Sequence, residues 1–159
     1  MSSTAVHGLK GIFEMVFNGT EQFIEVCPEH IWEKKFGGWP IWQHVYHALT
    51  ITGLFALESA ETPVSAPMPM EVAMFASTPD AVWKKGDAKI YAANKKTEVG
   101  VYLAKLNDAN LASKNTGVSQ RFDKEMLQSS VSALMIGHLF YHLGVCDSAL
   151  REEGLQGIL

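Results

Sequence analysis

Residues 126–153 read MLQSSVSALMIGHLFYHLGVCDSALREE, and this stretch decides the fold class. Leu127, Val131, Leu134, His138, His142, Val145 and Ala149 lie on one row of three- and four-residue steps, the spacing of a single face of an α-helix. Asp123 is a suitable N-cap ahead of that row and Gly154 a suitable stop behind it, so a helix is expected over residues 123–153. On this row His138 and His142 both point into a core, one turn apart, where two imidazole nitrogens can converge on one ion. A lone core histidine is usually a hydrogen-bonded packing residue. Two in register are harder to place that way, because each buried nitrogen without a partner costs roughly 1 to 3 kcal/mol.

The segments upstream supply the rest of a bundle. Residues 5–26 set Val6, Leu9, Ile12, Phe13, Val16, Phe17, Phe23 and Ile24 at helical spacing, with Lys10, Glu14, Glu21 and Glu25 mostly elsewhere. PEHIWEKKF, residues 28–36, suits a short helical piece opened by Pro28 and ended by Gly37 and Gly38. Pro40 then opens a second long helix, residues 40–58, that is apolar nearly all round and so belongs inside the molecule. Residues 59–85 hold Pro63, Pro67, Pro69 and Pro79 among Ser, Thr and Met, the composition of a long crossing connection. A third helix fits residues 88–106, with Tyr91, Val99, Tyr102, Leu103 and Leu106 inward and Lys95, Lys96 and Lys105 outward. Residues 107–122 read as a loop, and neither a strand pattern of useful length nor an internal repeat appears. The expected architecture is all-α: one four-helix-bundle domain over residues 1–159, with a long Pro-rich crossover between its second and third helices.

Composition narrows the function classes. A chain of 159 residues with 47% apolar and 19% charged content can bury a real core as a single globular unit. The net charge is −4 and the 13 Lys and Arg stand singly or in pairs, so no basic stripe exists to neutralise phosphates and nucleic acid is not an expected partner. Cys27 and Cys146 show no CxxC spacing and read as two buried thiols of a cytoplasmic protein. The opening MSSTAVHGLKGIFEMVF lacks a basic region ahead of an apolar one, unlike a signal peptide. Residues 36–57 and 126–146 are uncharged runs about as long as a membrane span. Both carry histidine, glutamine and hydroxyl side chains that hydrocarbon would leave without partners, so buried bundle helices are expected and no membrane partner.

The second helix adds His44 and His47, three apart on a row with Ile51 and Leu54, and spacing alone does not choose between them as a third ligand. Three neutral imidazoles on a divalent ion leave one or more positions open to water or substrate. Such ligands suit zinc, nickel, iron(II) or manganese, of which zinc or nickel is the expectation.

Two motifs then become familiar: WPIWQHVYHAL, residues 39–49, and IGHLFYHLGVCDSALREEG, residues 136–154. Together they make the whole chain resemble the DinB-like (DinB/YfiT) superfamily of metal-binding four-helix bundles. In that superfamily a tryptophan opens helix two ahead of a single metal-binding histidine, and helix four carries HxxxH followed by a small residue. On this pattern Trp39 matches the opening aromatic, His47 the lone ligand, and His138 and His142 the pair, while His44 falls on a variable position. The resemblance implies a divalent-metal site on His47, His138 and His142, and a homodimer, for which the apolar excess of helix two would suit the interface. It also implies small-molecule chemistry, since characterised members attach low-molecular-weight thiols to electrophiles or isomerise small acids.

The functional expectation is a metal-dependent thiol transferase or hydrolase acting on a small electrophile, with a thiol or other small molecule as partner. The competing expectation is a binding protein whose histidines hold metal or simply pack, without catalysis. Gln43, His44, Tyr46, Glu58 and Tyr141 are candidate helpers in acid–base or orienting roles. Trp32, Trp39, Trp42 and Trp83 either line an apolar pocket over the metal or pack in the core.

Overall fold

The structure, a computed structural model, describes residues 4–159; residues 1–3 of the expected 1–159 domain lie outside the described residues. Among those described, four long helices form: α1 Thr4–Val26, α3 Ile41–Phe55, α5 Lys85–Ala104 and α7 Gln128–Glu152. Between them lie short helices α2 Glu29–Trp32, α4 Met70–Ala73 and α6 Thr116–Arg121, and a two-stranded hairpin of β1 Lys35–Phe36 and β2 Trp39–Pro40. The protein is an all-α four-helix bundle. α1 and α3 each pack against both α5 and α7, so α1 lies diagonally opposite α3 and α5 opposite α7, while α3 and α5 are neighbours.

α1 forms because its apolar stripe, Val6, Phe13, Val16, Phe17, Phe23 and Ile24, keeps helical spacing and has a hydrophobic core to meet. Phe13, Phe23, Trp32 and Trp42 are among the large side chains fully withdrawn from water, each stabilising the fold by roughly 1.5 to 3 kcal/mol or more. The chain turns from α2 into α3 through the hairpin, where Gly37 and Gly38 adopt φ of +61° and +101°, values open to glycine at little cost. Lys35 pairs with Pro40 and Phe36 with Trp39, a register too short to show as alternation in sequence.

α3 is the central helix. All of its 15 residues except His47 and Leu54 are buried, and its apolar circumference is covered by α5, α7 and α4. The expectation that this excess would serve a dimer interface is therefore corrected: the bundle itself uses it. The polar groups that go inside with it are largely satisfied, for example Thr50 Oγ1 and the Tyr91 hydroxyl at 3.0 Å.

Four further expectations are corrected. Asp123 is not the cap of the last helix; it has φ +46° in the turn after α6, and α7 starts at Gln128 with Leu127 as N-cap. The loop over residues 107–122 contains α6, started by Asn115, whose side chain accepts from the Val118 amide at 2.9 Å. That helix is too short to carry a readable apolar period, which is why only its capping residue could have revealed it. Lys95, expected outward, is 1% exposed: its stem lies against Gly53, and its ammonium meets Glu98 at 2.6 Å and the Tyr91 ring at 5.1 Å. Finally, the buried stripe of α7 runs through Val131, Met135, Leu139, His142, Leu143 and Cys146, one step round from the expected row, and Leu134 is exposed. His138 therefore sits at the edge of the buried face, partly exposed, and His142 inside it.

Candidate metal centre

Contact between α3 and α7 brings the histidines together. His47 on α3 and His138 and His142 on α7 each offer one ring nitrogen, and these three nitrogens lie within 4.8 Å of one another. The ring centroids are 4.8 Å apart for His47 and His138, 4.5 Å for His47 and His142, and 4.8 Å for His138 and His142. Nε2 of His47 faces Nε2 of His138 at 2.8 Å. His44, the other candidate on α3, lies outside this cluster but beside it, with its Nδ1 at 3.3 Å from Nδ1 of His142.

Each ring is prepared for a neutral state. Burial pushes His138 down to about 4 and His142 down to about 2, with His47 beside both lowering them further. Burial also holds His44 and His47 below the ordinary imidazole value, partly offset by hydrogen bonds to the carbonyls of Phe36 and Ala73. Deprotonated imidazole is the form a metal requires. Among the described residues, no carboxylate or cation hydrogen-bonds to these four rings.

The crossover supplies the roof. Gln43 on α3 donates through Nε2 to the carbonyls of Val72 and Ser77 at 2.9 and 2.7 Å, and its Oε1 accepts from the Thr78 hydroxyl at 2.7 Å. That clamp fixes residues 72–78 over the histidines. The Ala73 carbonyl accepts from Nδ1–H of His47, and since a carbonyl only accepts, Nε2 of neutral His47 keeps its lone pair for the cluster. Phe75, at φ +59°, stacks on the His47 ring at 4.3 Å and is bracketed by Trp39, whose indole donates to the Phe75 carbonyl at 3.2 Å.

These residues fit a metal by an observation independent of spacing. Nε2 of His138 confronts Nε2 of His47, which keeps its lone pair, rather than a carbonyl or carboxylate. Buried polar atoms are normally satisfied, and an ion taking the three lone pairs accounts for rings turned toward one another.

The remaining candidates divide. The Tyr141 ring stands perpendicular to that of His142, with centroids 4.9 Å apart, and is exposed. Tyr46 points away, donating to the Met68 carbonyl at 2.6 Å, and Glu58 is exposed and ion-paired with Lys105 at 2.5 Å. Neither reaches the histidines. Trp32, Trp42 and Trp83 pack in the core, which leaves Trp39 as the tryptophan at the site. Cys27 and Cys146 are buried thiols, Cys27 pushed up to about 12 by burial and Cys146 pushed up by the same cause. Sequence reasoning missed Phe75 and the carbonyls of Phe36 and Ala73, since a backbone oxygen leaves no mark in a sequence.

The whole architecture has counterparts among solved structures. A protein named YfiT from Bacillus subtilis, described as a probable metal-dependent hydrolase with an unusual four-helix bundle topology, matches with a TM-score of 0.70. That match covers 98% of this chain and 91% of that one, at 15% identity. A DinB-like protein, YjoA, also from Bacillus subtilis, matches with a TM-score of 0.63 over 92% of each chain at 17% identity. This chain has the DinB-like fold. Within that fold α1 lies diagonally opposite α3, which leaves α7 beside α3 and brings the three histidines together. No protein-family model and no curated protein sequence matches the chain.

Proposed function

We propose that this protein is a metal-dependent enzyme in which His47, His138 and His142 hold one divalent ion, zinc or nickel, with a position left open for a reactant. The observation that carries this reading is the meeting of three neutral ring nitrogens from two helices within 4.8 Å. A divalent ion held there would act as a Lewis acid and lower the pKa of a bound water or thiol, giving a nucleophile near neutral pH. Three neutral imidazoles leave the dication's charge uncompensated by protein carboxylates, which strengthens that effect.

The chain's own residues do the rest. Ala73 and His47 hold the tautomer that presents Nε2, Phe75 shields the back of the His47 ring from water, and His138 stands at the partly exposed edge where a reactant can enter. Hydrolysis of a small electrophile is the favoured reaction, in keeping with the description of YfiT, and transfer of a thiol is the alternative that the same open position permits. A small-molecule substrate, a homodimer and a cytoplasmic location complete the proposal.

Metal analysis of protein purified without a histidine tag, beside a His138→Ala/His142→Ala double variant, tests it. One equivalent of metal in the first and none in the second is expected. Equal metal in both removes the site. In a cobalt-substituted sample, a thiol or small anion should alter the visible spectrum, and an unaltered spectrum argues against an open position.

A further inference from the structure

Resting on the three-histidine reading above, we infer that His44 is a positioning residue that sets the tautomer of His142, and with it the nitrogen that His142 presents to the cluster. The argument follows one chain of hydrogen bonds. Nε2 of His44 lies 2.8 Å from the Phe36 carbonyl, which can only accept, so Nε2 carries the hydrogen. In a neutral ring Nδ1 of His44 is then an acceptor, and it faces Nδ1 of His142 at 3.3 Å. Nδ1 of His142 must therefore carry its hydrogen and donate it, which leaves the His142 lone pair on Nε2, the nitrogen remaining for the cluster.

The arrangement is held from outside. His44 is 5% exposed, and its ring is wedged by Phe75 at 5.3 Å and by Trp39 edge-on at 6.4 Å. The Phe36 carbonyl is delivered by the β1–β2 hairpin, whose two left-handed glycines turn the chain back over α3. Both nitrogens of His44 are thus engaged, and a direct ligand role would break one of the two bonds. Ligating histidines commonly have the second nitrogen fixed by an outer partner. Here that partner is another imidazole, and it ties the centre to the hairpin.

The tautomers are read on metal-free protein by two-bond proton–nitrogen correlation of the histidine rings, so this test stands even if the wild-type protein takes up no metal. His142 is expected as the Nδ1–H form and His44 as the Nε2–H form. Cobalt(II) titration supplies the second readout. His44→Leu, similar in bulk but unable to hydrogen-bond, should weaken binding by about 10- to 100-fold. His44→Asn, whose Oδ1 can accept from Nδ1–H of His142, should recover most of the loss. An Nε2–H form of His142, or wild-type cobalt affinity in His44→Leu, overturns the inference. Binding abolished in His44→Leu as fully as in His142→Ala, without rescue by asparagine, makes His44 a ligand and overturns it equally.

Discussion

Gln43 shows how much one side chain can hold in this protein. It lies on α3, is fully buried, and makes three hydrogen bonds to the crossover, of which two go to the backbone carbonyls of Val72 and Ser77. Replacing it by Leu keeps the volume and deletes the bonds. With each bond worth about 0.5 to 1.5 kcal/mol net, Gln43→Leu should destabilise the fold by about 2 to 4 kcal/mol, measured by urea denaturation. Proteolysis within residues 70–78 should rise in parallel, because that segment is the part left unclamped. Unchanged protease resistance would show that Phe75 and Trp39 alone hold the roof. Gln43 and the histidines were visible in the sequence as polar residues inside an apolar helix. Their partners outside the cluster were not, since apart from the Thr78 hydroxyl these are main-chain oxygens brought close by tertiary contact.

Among the elements, α6 is where local and distant structure meet. It is short and rests on Asn115, which caps it and also donates to Gln128 Oε1 at 3.0 Å on the first turn of α7. The backbone of α6 approaches the segment just after α3 so closely at Gly117 that a Cβ there would collide with the carbonyl of Leu57 and with Glu58. A backbone atom cannot move aside as a side chain does. Gly117→Ala should therefore destabilise the protein by about 1 to 3 kcal/mol, read from the denaturation midpoint. Hydrogen exchange should localise the loss to residues 116–121. Four long helices could be counted from apolar spacing because each buries a stripe over several turns. α6 and the hairpin are set by one cap and two glycines, a signal too local to outweigh a loop-like composition.

The whole molecule couples its stability to the cluster. The rings of His138 and His142 are held far below the imidazole value by burial, whereas in an unfolded chain they titrate near 6.5. Between that value and about 4 for His138, the unfolded state takes up protons that the folded state refuses, so stability falls as the pH falls. Metal-free protein should accordingly show a lower thermal midpoint at pH 5 than at pH 7, by scanning calorimetry. Added zinc or nickel should raise the midpoint at pH 7: an ion at 100 times its dissociation constant stabilises by about 2.7 kcal/mol. For a chain of this size that corresponds to roughly 5 to 10 °C. The rise should shrink at pH 5, where protons compete for the same lone pairs. α7 is long and apolar enough to cross a membrane by composition, yet it packs along α3 and α1, with His142 inside the bundle and His138 at the edge of its buried face.

The sequence alone determined the helical class, the four long helices, the central burial of α3 and the histidines with the right spacing to share an ion. It could do so because each is a periodic property of contiguous residues, and period survives without knowledge of the partner. Only the tertiary structure decided which face of α7 turns inward, that Lys95 is buried, and which carbonyls and rings orient His44, His47 and His142. Those facts depend on the rotation of one helix against another and on the path of a proline-rich segment. Both are settled by packing between residues far apart in the chain.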